Sequence, residues 1–346
     1  MLARTPAIRG IAVLFGALAL ASLLNAARLH RNAETSSPGV ERTVGLAVTG
    51  LLAGVSHDLF LDRPRRAVLA VVGRGGEDTI DTTVRFSPPA PHARPAAHAP
   101  IPRTHSLPVR TPTVVVRRSF SPDHPLRIWV AGDSLAEIPG QALQRLAGTG
   151  GAVDVVAVES RLSTGLGRPD VYNWFTRIAQ VAGKGRPDVA VLSFGADDAH
   201  NYLAGVPAGR QVGPLGSPSW NAEYRRRVDG ITRELNRAGV YVVWLGTPIP
   251  RGTGFRRSFR VVDSIIRSVV DAHRRSAVYV DEWALLSGPR RRYTDYLPNA
   301  DGRLVLMRAP DGVHIEPPAG DLVARAVLAD LGRVFDLASE APRGVA

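Results

Sequence analysis

From residue 127 onward, short apolar runs alternate with longer segments of helical period. The runs fall at 127–131, 152–158, 188–194, 240–246 and 277–281. The intervening segments 135–147, 171–182, 221–238 and 257–275, and a last one at 319–337, place apolar side chains three and four positions apart. Runs of that length bounded by Gly, Pro, Asp or Ser read as buried strands, and the longer segments as amphipathic helices. Strict alternation of the two predicts a parallel sheet covered on both faces. The expected fold is therefore α/β, a flavodoxin-like three-layer sandwich with a five-stranded parallel sheet. Right-handed crossovers bring the carboxyl ends of all strands to one rim, which is where open α/β sheets bind ligands.

The first third has no such alternation. Behind Arg4 and Arg9, Ile11 to Leu24 is uninterrupted apolar or small sequence. It falls short of the ~20 residues that a membrane span wants. Residues 1–31 read as a signal or membrane anchor, with an uncleaved anchor favoured and the bulk of the chain outside the cytoplasm. Within 32–74 a second apolar stretch, Val44 to Val55, leads to Arg63, Pro64, Arg65 and Arg66, and reads as an interfacial or packed helix ended by the proline. Residues 75–122 are Pro-rich without apolar period (Pro88-Pro89-Ala90-Pro91), the pattern of an extended, semi-rigid linker. The α/β domain is expected at 123–337, followed by a tail at 338–346.

Charge sharpens this division. The net charge is +12, and residues 1–122 hold 15 arginines against 7 acids. Such an arm suits an anionic lipid or polymer. No zinc-finger, recognition-helix or aromatic RNA-binding pattern accompanies it, so nucleic acid is not expected as a partner. The chain has no cysteine, which excludes disulfides, thiolate metal sites and a Cys nucleophile. Neither a phosphate-binding Gly-rich loop nor a dinucleotide fingerprint nor His-Glu-x-x-His is present, and no metal or cofactor is expected.

Chemistry concentrates at the end of the first run, Gly132-Asp133-Ser134. A hydroxyl at a strand's carboxyl end is a nucleophile if a base reaches it; alone, Asp-Ser is also a common helix start. Far downstream, Asp311-Gly312-Val313-His314 sets a carboxylate three residues before a histidine. Such a loop can hold Asp311 on one imidazole nitrogen and offer the other to Ser134.

These blocks resemble the SGNH (GDSL-like) hydrolases. Two more blocks fall between them in the same order: Ser163-Thr164-Gly165-Leu166 resembles the family's glycine block, and Gly195-Ala196-Asp197-Asp198 its Gly-x-Asn-Asp block. With Arg168-Pro169-Asp170 and Trp174 following, the wording is similar to a bacterial SGNH branch associated with envelope acyl chemistry. The resemblance covers about residues 123–337. It implies Ser134, His314 and Asp311 as the catalytic residues, with an oxyanion hole from the backbone N–H groups of Ser134 and Gly165 and the side chain at 197. Here that side chain is Asp197, where the family has Asn. An ionised carboxylate cannot donate and repels a developing oxyanion; the position serves only if burial keeps it protonated, or if His200 or Asn201 substitutes. Asp133, Asp198 and Asn201 are the candidate substrate-binding residues.

Two functions from different classes follow. One is a serine esterase or acyltransferase acting on O-acyl groups, acetyl above all, of an extracytoplasmic polysaccharide, or on a small ester. The other is a catalytically impaired binding or scaffold protein of the envelope, inactive because of Asp197.

Overall fold

The computed structural model describes residues 6–34, 40–64, 67–68, 82–86, 118–148, 151–183, 185–199, 203–206, 212–299 and 301–337. Five strands build the central sheet: β2 (Leu126–Gly132), β3 (Val153–Ser160), β4 (Val189–Ser193), β5 (Tyr241–Leu245) and β6 (Ala277–Val280). All pair in parallel, in the order β3-β2-β4-β5-β6. The chain thus starts near the middle of the sheet, steps to one edge, returns across the first strand and continues to the other edge. That is the flavodoxin-like order, with its switch point between the neighbouring strands β2 and β4, at their carboxyl ends.

Side-chain alternation explains the three layers. On β4, Ala190 and Leu192 face one side with Trp129, Ala131, Val242 and Trp244 of the neighbouring strands; α5 (Trp174–Gly183), α6 (Pro218–Arg237) and α7 (Thr253–Ala272) cover them through Trp174, Phe175, Trp220, Tyr224 and Val262. Val189 and Val191 face the other side with Ile128, Val130, Val243 and Leu245, beneath α4 (Glu137–Ala147) and α9 (Pro317–Val334). A strand buried on both faces loses the polar–apolar alternation of a surface strand, which is why these runs read as continuously apolar.

Three departures from the sequence reading have physical causes. First, a two-stranded antiparallel ribbon, β7 (Tyr296–Pro298) and β8 (Leu304–Leu306), follows the short helix α8 (Glu282–Leu285); its three-residue strands are too brief to show a period. Second, the α/β domain begins before residue 123. β1 (Ser119–Phe120) pairs in parallel with β9 (Asp336–Leu337), clasping the two ends of the domain, and Phe120 packs edge-on against Phe335. Third, Thr82–Phe86 of the expected linker lies against the domain, with Val84 and Phe86 packed on its core. The Pro-rich stretch 88–102 and the tail 338–346 lie outside the described residues.

The N-terminal segment forms α1 (Pro6–Leu24), α2 (Ala26–Glu34) and α3 (Val40–Asp58). Ala26, Ala33 and Ser56 are buried, and His30 Nδ1 meets Thr49 Oγ1 at 3.0 Å between α2 and α3. The apolar side chains of α1, Ile11, Val13, Leu14, Phe15, Leu18 and Leu20, are exposed. Among the described residues no helix is long and apolar enough to cross a membrane.

Candidate active site

Ser134 stands where β2 ends at the switch point. Gly132 makes this possible. A Cβ there would overlap the Ser193 carbonyl oxygen, so only glycine lets β2 run flush against β4 to its last residue. The Asp133 N–H then donates to that carbonyl (3.1 Å). The Asp133 carboxylate turns inward, fully buried, and accepts from Leu135 N (2.9 Å), Gly195 N (2.8 Å) and Ala196 N (3.1 Å). It caps the short helical turn Ser134–Ala136 and ties it to the loop after β4. Burial outweighs these three bonds and pushes the Asp133 carboxyl up to about 8.

The base arrives from a loop 180 positions away. His314 Nε2 accepts from Ser134 Oγ at 2.7 Å, and His314 Nδ1 faces Asp311 Oδ2 at 2.6 Å. The other Asp311 oxygen accepts from Val313 N (2.8 Å) and His314 N (3.0 Å). Partial burial would raise the Asp311 carboxyl, but the bonds from His314 and the two N–H groups prevail and hold it below the ordinary Asp value. An anionic Asp311 fixes the tautomer in which Nε2 is free to accept a proton.

Two arginines shape that loop. The Arg251 N–H donates to Gly312 O (2.8 Å) and its Nη1 to Pro310 O (3.1 Å). Gly312 has φ +72°, and a Cβ on it would press within 2.6 Å of Arg251 Cβ. From the buried side Arg308 Nη2 donates to Val313 O (2.8 Å). Neither arginine was legible as functional: both sit among many arginines, and their targets are backbone carbonyls, which leave no sequence signal.

The glycine block packs on the block after β4. Thr164 Oγ1 donates to Arg161 O (2.7 Å) and accepts from Trp174 Nε1 (3.0 Å), pinning the turn to α5. Gly165 faces Asp198, whose Oδ1 would overlap any Cβ there. Asp198 accepts from Gly167 N (2.6 Å) and from the Tyr224 hydroxyl (2.6 Å), and burial raises its carboxyl. Arg227, fully buried on α6, binds Glu223 (2.8 Å), Leu166 O (2.6 Å) and Ala204 O (2.6 Å).

Of the expected site residues, Ser134, His314 and Asp311 come together, and Gly165 lies on the same rim against Asp198. Asp133 and Asp198 do not face a substrate. Both are sealed beneath the rim, 0% and 1% exposed, with their oxygens engaged by backbone N–H groups and Tyr224. Asp197 is half-buried, and its charge opposes ionisation of Asp133. His200 and Asn201 lie outside the described residues. Among the described residues no cluster of His, Asp and Glu is placed to hold a metal.

A family model described as protein of unknown function (DUF459) matches residues 127–330. The chain belongs to the DUF459 family. The matched span takes in all four blocks, from β2 to α9. No curated protein matches. Among solved structures, the lipase/acylhydrolase from Enterococcus faecalis is 17% identical, with 62% of this chain and 98% of that one covered at a TM-score of 0.43. The psychrotrophic esterase EstA from Pseudoalteromonas sp. is 14% identical (60% and 97% covered, TM-score 0.40). A GDSL-like lipase from Bacteroides thetaiotaomicron is 11% identical (61% and 89% covered, TM-score 0.38).

Proposed function

We propose that this DUF459 protein is a serine hydrolase of ester bonds, with Ser134 as nucleophile, His314 as general base and Asp311 as its orienting carboxylate. The observation that carries this reading is the unbroken chain Ser134 Oγ–His314–Asp311, at 2.7 and 2.6 Å, assembled on the ligand-binding rim from segments 180 positions apart.

In this mechanism His314 Nε2 takes the Ser134 proton as Oγ attacks the ester carbonyl, and Asp311 stabilises the resulting imidazolium. The same imidazolium returns the proton to the departing alkoxide. Water, activated by His314, then cleaves the acyl-enzyme; a sugar hydroxyl in its place makes the protein a transferase. The Ser134 and Gly165 N–H groups are the oxyanion donors of this proposal. Asp197 contributes as a third only when protonated.

The proposed substrate is an O-acyl group, acetyl above all, on an extracytoplasmic glycan. Support comes from the motif wording, from the exposed apolar side chains of α1 and from the arginine-rich first third, which suit attachment at an anionic envelope surface. A fluorophosphonate is expected to label Ser134, and Ser134→Ala to abolish labelling and ester turnover. The competing reading, an inert binding protein, has one observation in its favour: a carboxylate at 197. Absence of labelling at every pH, with glycan binding retained in Ser134→Ala, would establish that reading instead.

A further inference from the structure

Thr82–Phe86 sits in a stretch whose composition marks it as spacer, yet it crosses the face formed by α5 and α6 in fitted contacts. The Phe86 ring lies edge-on to Phe175 (centroids 5.6 Å) and beneath the Arg226 guanidinium (5.6 Å). It occupies a notch at Gly230, where any Cβ would overlap three ring atoms. Glycine weakens a helix interior relative to alanine, and at Gly230 it leaves the space that the Phe86 ring fills. Asn173 Nδ2, whose Oδ1 caps α5 at Thr176 N (3.1 Å), donates to Thr83 O (3.3 Å). At the other end Thr82 O and Val84 close over Gly205, which has φ +69° and no room for a Cβ against that carbonyl.

Gly205 leads to the oxyanion side of the site in few steps. Its neighbour Ala204 donates to Gly167 O (2.8 Å), and Arg227 bridges Ala204 O and Leu166 O. Gly167 N in turn holds Asp198, which packs on Gly165. The geometry points to Thr82–Phe86 as a positioning strap for the reaction: seated on Gly230 and Gly205, it fixes the Ala204–Gly205 turn and so holds the Gly165–Gly167 backbone beside Ser134. The inference rests on the hydrolase reading above, because it assigns the strap to the oxyanion donor at Gly165.

The test uses the full chain and Phe86→Ala, Phe86→Leu, Gly230→Ala and the Phe86→Ala/Gly230→Ala double variant. With p-nitrophenyl acetate, Phe86→Ala is expected to lower kcat about 10-fold at nearly constant KM, the signature of a misplaced donor rather than lost binding. Phe86→Leu restores most of kcat. Gly230→Ala expels the ring and reproduces the loss, and the double variant adds nothing further. Amide hydrogen exchange at Leu166, Gly167 and Ala204 rises about 10-fold in Phe86→Ala, while β4 amides keep wild-type rates. Unchanged kcat in Phe86→Ala, or exchange that rises equally in β4 and these turns, overturns the strap and leaves ordinary packing. A wild-type chain inert to both ester and fluorophosphonate overturns the hydrolase reading instead, and the exchange pattern still decides whether the strap holds the turns.

Discussion

At the scale of single residues, the carboxyls beneath the rim do different work from the one on it. Asp311 is held ionised by the groups it orders, whereas Asp133 is pushed up to about 8 and Asp263, which accepts from Thr247 N (2.9 Å) and Oγ1 (2.8 Å), to about 7 by burial. Both ionise near 3.8, the ordinary Asp value, once unfolded. Between 3.8 and about 8 the folded chain therefore holds protons that the unfolded chain has released, and stability falls as pH rises through that window. The urea midpoint is expected to drop from pH 4 to pH 8, and Asp263→Asn to flatten the part below pH 7; equal slopes in the two chains would contradict it. Asp197→Asn supplies a neutral donor at the position where the SGNH pattern has one. A single oxyanion donor is worth about 100-fold in turnover or more, so Asp197→Asn is expected to raise kcat, and an unaltered kcat would place residue 197 outside the hole. Ser134 and His314 were legible as candidates because residue type and block order single them out. Asp133 and Asp198 were legible as important but assigned the wrong face: a polar residue at a candidate site looks the same in sequence whether it points outward or in to backbone N–H groups.

At the scale of elements, close approach decides what may vary. Gly132→Ala drives a methyl into the Ser193 carbonyl between two central strands. It is expected to leave little folded protein, seen as loss of the cooperative thermal transition. On α6, Glu223 and Arg227 form a buried pair one turn apart, and Arg227 also satisfies two loop carbonyls. Arg227→Met leaves Leu166 O and Ala204 O without that donor, and the expected cost is about 3 kcal/mol in urea unfolding; a change under 1 kcal/mol would mean the turns relax without it. The sequence reading placed this helix within three residues at each end, since its apolar stripe is long. It gave no sign that an i,i+4 pair, ordinarily a solvated surface feature, sits in the interior. That follows only from the helix being covered on several sides.

At the scale of the whole molecule, the domain is closed by pieces from outside the βα alternation. β1 pairs with β9, and Phe120 and Tyr241 both pack edge-on against Phe335. Phe120→Ala is expected to cost about 3 kcal/mol of stability, as for other buried Phe→Ala changes, while fluorophosphonate labelling of Ser134 keeps its wild-type rate. Slower labelling at a temperature where the variant is fully folded would show that the clasp reaches the site. The strap at Thr82–Phe86 is the second such piece, on the opposite face of the sheet.

The amino-acid pattern by itself determined the layer architecture and the rim that the strand ends share, while Ser134, Asp311 and His314 entered as candidates through their resemblance to family blocks and only the folded chain brings them together across 180 positions. The layers and the rim depend on residue type and period, which are local, and on the handedness of crossovers, which is general. Tertiary structure alone decided which carboxyls are buried, which arginines hold the His314 loop, and that a few residues of apparent spacer belong to the core. Each of these is fixed by backbone groups and close contacts between distant segments. A carbonyl accepts equally from any donor and a glycine notch has no side chain, so neither is written in the identity of the residues that meet there.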